Sequence, residues 1–212
     1  MPARRGRGAF RGSLLTPGRP SISGRVRQHA AAPSAAYDQV ARALHWLVAV
    51  LAVVVVSLGW AIAEAPRNTD SRALLVLLHG SVGLAILALM VLRGGWRLFH
   101  PPPPLPASLA RIEALLAHAN HLGLYLILVL MPLAGYLSIA AAGQSVGFFG
   151  IAAIPPLVPE NEGLSQLAIA LHLAGQFLLY ALVATHVAAA LVHAILWRNG
   201  ILERMLPGRR PG

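Results

Sequence analysis

The chain has 212 residues, 57% of them hydrophobic and 11% charged, with no cysteine and a formal charge of +10. A soluble domain carries about 25% charged residues, so the composition excludes an ordinary soluble enzyme and a disordered chain; the lack of cysteine excludes disulfide, iron–sulfur and thiolate chemistry. The positive charge does not point to nucleic acid. All 17 basic residues are arginines, seven of them within the first 27 positions and the rest near the ends of apolar runs, as in a membrane protein with basic cytoplasmic flanks.

Residues 1–36 are rich in Arg, Gly, Pro and Ser and contain no acidic residue. Such a segment cannot bury enough surface to offset its chain entropy, so a disordered tail is expected. Sharper alternatives are an Arg-rich transit-type peptide or an electrostatic tether to anionic lipid. Four apolar stretches follow, at Leu44–Ala63, Ala73–Leu92, Leu116–Ala142 and Leu167–Trp197. Each reaches the ~20 residues needed to cross ~30 Å of hydrocarbon. Lipid offers no partner for an open backbone and four spans cannot close a β-barrel, so all four must be helices. The predicted fold is all-α: an integral membrane four-helix bundle over residues 37–207, followed by a short tail at 208–212. Pro132 and Gly135 predict a kink in the third span, and the length of the fourth predicts tilt or protrusion.

Loop charge sets the orientation. Arginines precede the first span, Arg93, Arg97 and Arg111 link the second to the third, and Arg198, Arg204, Arg209 and Arg210 follow the fourth. The link between spans three and four has only Glu160 and Glu162, and in the first link Arg67 and Arg72 are balanced by Glu64 and Asp70. Both termini therefore face the cytoplasm, with residues 64–72 and 143–166 outside.

The chemistry lies in the histidines. Of nine, all but His29 lie within or against the spans, where ionisable side chains are costly and mark function. At 1.5 Å per residue, His79 and His172 lie about 10 Å below the outer face, His45 about 28 Å and His186 about 31 Å. His172 and His186 are fourteen residues apart, nearly four whole turns, and so share one face of the fourth helix. Two layers result, each with imidazoles from two helices, and two imidazoles on facing helices can be both axial ligands of a haem. The plainer alternative for any single histidine is a hydrogen bond between helices. Gly83, one turn after His79 on the same face, leaves room for a macrocycle. His121 is as deep as His45 and His186, so depth alone leaves the inner pairing open. His193 lies near the cytoplasmic interface, His118 opens the third span, and His100 and His29 read as solvated.

These residues resemble a family. Arg42-Ala-Leu-His45-Trp46, His79-Gly-Ser-Val-Gly83, His118-Ala-Asn-His121, Met131-Pro132-Leu-Ala-Gly135, His172, Thr185-His186 through His193, and Leu196-Trp197-Arg198-Asn199-Gly200 occur in an order and spacing similar to the bacterial di-haem cytochromes b561. The resemblance spans residues 37–207. It implies a membrane cytochrome b domain with two haem b groups, His45 and His186 holding the iron of the cytoplasmic-side haem and His79 and His172 that of the periplasmic-side haem. It implies a multi-pass protein of the bacterial inner membrane that oxidises superoxide at the periplasmic face and reduces ubiquinone. Arg67 and Arg72 match arginines ahead of the second span in such proteins and would attract the superoxide anion. His118, His121 and His193 are candidates for haem propionate contact, quinone binding or proton supply, because histidine titrates near neutral pH. The long tail and the loop after the third span depart from the family pattern.

The expected partners are thus the lipid bilayer, quinone and superoxide, with no nucleic acid and with room for a redox protein partner. The alternative function is a cytochrome b anchor subunit passing electrons between quinone and a partner dehydrogenase or hydrogenase, using the same ligands. A metal-ion transporter is disfavoured, since the spans lack the carboxylates that hard cations use.

Overall fold

The computed structural model describes residues 36–105 and 109–206; the calls on the tail before Ala36, on His29 and on 208–212 lie outside them. Four long helices make up almost all of it: α1 (Gln39–Glu64), α2 (Asp70–Phe99), α3 (Arg111–Ala140) and α4 (Glu162–Leu191). All four are long and apolar enough to cross a membrane. The first three are longer than the apolar stretches read from the sequence, while α4 starts five residues earlier than its stretch and gives way at Leu191, six residues before Trp197. Helices of 26 to 30 residues measure roughly 39–45 Å and pass through both headgroup layers.

The helix starts are set by local chemistry. Asp38 accepts from the amide of Ala41 (2.9 Å), Thr69 from Arg72 (3.3 Å) and Asn161 from Leu164 (2.9 Å), while the Glu113 carboxylate reaches back to the amide of Ala110 (2.9 Å). Each satisfies one of the donors a helix start leaves free. The third helix runs unbroken through Pro132. The fourth does not end cleanly: Val192–Leu196 form a π-helical turn that carries His193.

Helix α1 packs along α2, α2 along α3, and α3 along α4. Val48, Val82, Ile86 and Met90 form a buried cluster where α1, α2 and α3 meet, joined by Leu51, Val55, Tyr125 and Leu128. Glycines bring α3 and α4 together: a Cβ at Gly123 would lie 3.0 Å from Leu182, and one at Gly175 2.5 Å from the Met131 sulfur. Between α1 and α4 side chains make the link, the Trp60 indole donating to the Tyr180 hydroxyl (2.9 Å). Most large apolar side chains on the four helices point outward, as a bilayer solvent requires.

One element went unforeseen. The outer link between α3 and α4 holds a two-stranded antiparallel hairpin, β1 (Val146–Phe148) with β2 (Ala152–Ile154). Its turn uses Phe149 and Gly150, both at positive φ (49° and 72°). The hairpin lies on α2, where Ser81, fully buried, donates to the carbonyl of Leu77 (2.6 Å) and accepts from the amide of Phe149 (2.7 Å). Gly147 is needed there, since a Cβ would lie 2.6 Å from Leu77. On the cytoplasmic side the C-terminal segment folds under α1: Arg42 donates to the carbonyl of Leu206 (2.9 Å) and Trp46 to that of Met205 (2.8 Å).

Candidate functional site

The structure gathers the histidines into the two layers expected. In the outer layer His79 of α2 faces His172 of α4, ring centres 5.9 Å apart. In the inner layer His45 of α1 faces His186 of α4 at 6.1 Å. An imidazole–metal bond is about 2 Å and a ring nitrogen sits about 1 Å from its ring centre. Two imidazoles in line on one metal therefore have centres about 6 Å apart, the spacing of both pairs. Among the described residues no group of three or more His or carboxylate side chains converges on a point that would hold a bare metal ion. The pairs suit a metal that brings its other ligands with it.

The outer pair is held in the ligand-ready tautomer. The Nδ1 of His79 lies 3.0 Å from the carbonyl of Val55, and that of His172 2.9 Å from the carbonyl of Met131. A carbonyl can only accept, so each Nδ1 carries the proton and each Nε2 keeps its lone pair free. The two anchors share one device. Four residues after each carbonyl stands a glycine: Gly59 beyond Val55, Gly135 beyond Met131. A Cβ at Gly59 would come within 3.4 Å of the His79 ring, and one at Gly135 within 3.2 Å of the His172 ring. At Gly135 the missing side chain lets the His172 ring lie against the α3 backbone, whereas at Gly59 a methyl would meet His79 at ordinary contact distance. The sequence reading took Gly135 as part of a kink and of a family motif and passed over Gly59; a glycine at the depth of a histidine on another helix was the available signal.

The inner layer is built otherwise. His186 also faces His121 of α3, ring centres 5.2 Å apart. That is shorter than two axial ligands require, so spacing favours His45 as the partner of His186. On the Nδ1 of His45 there is no carbonyl but the guanidinium of Arg93 (3.0 Å), whose Nε also donates to the hydroxyl of Tyr125 (2.9 Å). Arg93 and Arg97 both stand 5.5 Å from the centre of the Tyr125 ring. The sequence reading used these arginines only for orientation.

The remaining candidates disperse. A Cβ built at Gly83 would meet Pro132 of α3 at 3.9 Å, an ordinary contact. His118 is exposed and turns back to the carbonyl of Ala114. His193, on the π turn, accepts from the Asn199 side chain (2.7 Å) and meets the edge of Trp197 at 4.6 Å; the widened turn removes it from the simple seven-residue register with His186. Arg67 is exposed in the outer turn. Arg72 is committed to structure, donating to the carbonyls of Ile62 and Ala65 at the end of α1. His100 stacks on Trp96 with ring centres 4.0 Å apart.

Comparison with known proteins points to one family. The profile of the prokaryotic cytochrome b561 family matches residues 36–208. The chain is 31% identical over 171 residues to cytochrome b561 homolog 2 of Escherichia coli (strain K12), covering 80% of this chain and 90% of that protein. It is 30% identical over 171 residues to the probable superoxide oxidase CybB of Yersinia pestis (79% and 93%), and 29% identical over 175 residues to cytochrome b561 homolog 1 of Escherichia coli (79% and 94%).

Proposed function

This chain belongs to the prokaryotic cytochrome b561 family, b-type haem proteins with an oxidoreductase or electron-transfer role in the bacterial inner membrane, and from that premise we propose that it oxidises superoxide at the periplasmic face and reduces ubiquinone through two haems. The observation that carries the proposal is the pair of imidazole couples, 5.9 and 6.1 Å between ring centres, one near each face.

The residues present fit two haems. The outer couple offers two free Nε2 lone pairs fixed by main-chain carbonyls, and acceptors of this kind raise ligand basicity and fix ring orientation. The inner couple, His45 and His186, has the matching separation. The haems supply one-electron redox chemistry at each end; the protein supplies ligands, spacing and charge. In balance, two superoxide anions lose one electron each and leave as dioxygen, while one quinone gains two electrons and two protons to become quinol.

Superoxide is an anion and stays out of hydrocarbon, so it meets the protein at the outer rim. Arg67, exposed in the turn between α1 and α2, supplies the attracting charge. Arg72 beside it contributes charge while tying the end of α1. At the cytoplasmic end His118, His121 and His193 are placed to supply the quinone's protons or hold its headgroup, with His193 oriented by Asn199.

The purified chain in liposomes tests this. Two haems per chain are expected, reduced by a superoxide-generating system and reoxidised by added ubiquinone, with Arg67→Glu slowing the first step roughly tenfold at low salt. A preparation without haem overturns the reading. One that holds haem, ignores superoxide and co-purifies with a dehydrogenase or hydrogenase assigns the anchor-subunit role instead.

A further inference from the structure

Arg93 and Arg97 lie one turn apart on α2, at the cytoplasmic end of the span, and both guanidinium groups lie against Tyr125. Like charges at this spacing repel. Arginines at a membrane interface normally extend toward water. Arg93 instead reaches a ring of the inner layer, and both residues are half-buried. Its partners are a phenol and an imidazole, both neutral, and not a carboxylate. None of the acidic side chains of that end is bonded to them: Asp38 takes the amide of Ala41 and the indole of Trp96, Glu113 takes the amide of Ala110, and Glu203, after α4, keeps a buried Oε2 without a hydrogen-bond partner. A half-buried pair of cations without a counter-charge is unfavourable and calls for an anion from outside the chain.

The contact with His45 points the same way. A guanidinium has no acceptor, so the Nδ1 of His45 must accept from Arg93 and its proton must sit on Nε2. That is the wrong tautomer for a ligand bonding iron through Nε2, and the reverse of what Val55 and Met131 impose on the outer pair. A carboxylate binds a guanidinium more strongly than an imidazole lone pair does, with two parallel charge-assisted bonds. A carboxylate arriving here would draw Arg93 away and release Nδ1 of His45 to take the proton back.

We propose that Arg93 and Arg97 form a carboxylate seat for the propionate groups of the inner haem, and that filling it switches His45 into its ligand tautomer. This rests on the reading of His45 and His186 as an axial pair. Tyr125 is a positioning residue in the seat, holding Arg93 through its hydroxyl and facing both guanidinium groups with its ring.

The test uses the full-length membrane protein stripped of pigment and retitrated, in parallel, with haem b and with haem b dimethyl ester, which lacks the carboxylates. The binding phase that disappears in His45→Ala should favour haem over the ester about tenfold or more, and Arg93→Gln/Arg97→Gln should erase that preference while leaving the other phase unchanged. Tyr125→Phe should reduce it partially. If the wild-type inner phase takes haem and ester equally, the seat is refuted, whether or not the arginine variant folds. Dependence of both ligands on phosphatidylglycerol in place of phosphatidylcholine, with no ester discrimination, would give the seat to a lipid phosphate and likewise overturn the proposal. The absence of a second haem in the wild-type protein would defeat the axial-pair reading itself, a result distinct from either.

Discussion

The two histidine layers are alike in spacing and unlike in support. In the outer layer both imidazoles give their Nδ1 protons to helix carbonyls, each with a glycine one turn beyond the carbonyl, and at Gly135 the lack of a side chain clears the approach. In the inner layer a guanidinium takes the lone pair of His45, and a third histidine crowds His186. The outer pair is thus preorganised in the chemical sense: tautomer, rotamer and distance are set by backbone groups that cannot titrate. The inner pair reaches the same geometry with side chains that must exchange partners before both rings can bond a metal. Fixed ligands and switchable ligands can occupy one four-helix bundle because the carbonyl of an α-helix accepts a second donor wherever a small residue exposes it.

The largest expected effect breaks the layers apart. His79→Ala or His172→Ala should lower haem content from two per chain to one by removing the outer group; His45→Ala or His186→Ala should do the same by removing the inner. His121→Ala should keep both, because its ring stands 5.2 Å from that of His186, too near for an iron between them. Haem per chain, from absorbance against protein concentration, checks each case. Loss of the inner haem in His121→Ala with His45→Ala harmless would reverse the pairing.

A smaller change sharpens the contrast within the outer layer. A methyl at position 135 would sit 3.2 Å from two atoms of the His172 ring, so Gly135→Ala should shift that ring and weaken outer-haem retention roughly tenfold, in the range of an overpacked core. Gly59→Ala, at 3.4 Å from His79, is an ordinary contact and should change little. Competition for haem by an apoprotein acceptor measures both, and equal losses would show that the carbonyl anchors do not set ring position. Ser81→Ala comes next, removing the hydroxyl that accepts from the amide of Phe149. Water reaches Phe149, which is half-exposed, so the cost should sit near the low end for a lost partner, about 1 kcal/mol. Faster hydrogen exchange at that amide, with helix amides unchanged, would register it.

The membrane bundle was legible because hydrophobic length and arginine placement are one-dimensional signals: spans, loop charge and the depths of His45, His79, His172 and His186 follow from counting residues. The supports were not legible. That Val55 and Met131 accept from imidazoles depends on which helices adjoin, and nothing in the run of valines around Val55 marks it. Arg93 and Arg97 carried an evident signal, but loop charge explained them fully as orientation determinants and hid their inward reach. The hairpin at Val146–Ile154 was missed because its strands are three residues each, too short for alternation to show, and its register is fixed by Ser81, 65 positions earlier than Val146. The π turn escaped because period counting assumes 3.6 residues per turn to the end of α4.

The smallest expected effect lies at the cytoplasmic end, outside the spans. Asp38 caps α1, seven residues before His45, and accepts the indole N–H of Trp96 (3.1 Å), which stacks on His100. Slight burial raises its pKa, but the Ala41 amide, the Trp96 indole and the charge of His100 outweigh this and hold the carboxyl below its ordinary value of 3.8. A lowered carboxyl stabilises the folded state fully above that ordinary value, and the contribution fades as pH falls through the lowered one. The wild-type thermal midpoint should therefore be insensitive to this group from neutral pH to about 5 and decline below 3.8. Asp38→Asn, which keeps a capping oxygen but cannot ionise, should lie only slightly lower at neutral pH and lose this part of the acid dependence. Because the group is almost fully exposed, solvent screens it and the difference should be small. An Asp38→Asn curve parallel to wild type throughout the acid range would show that the carboxylate gives α1 nothing beyond the cap.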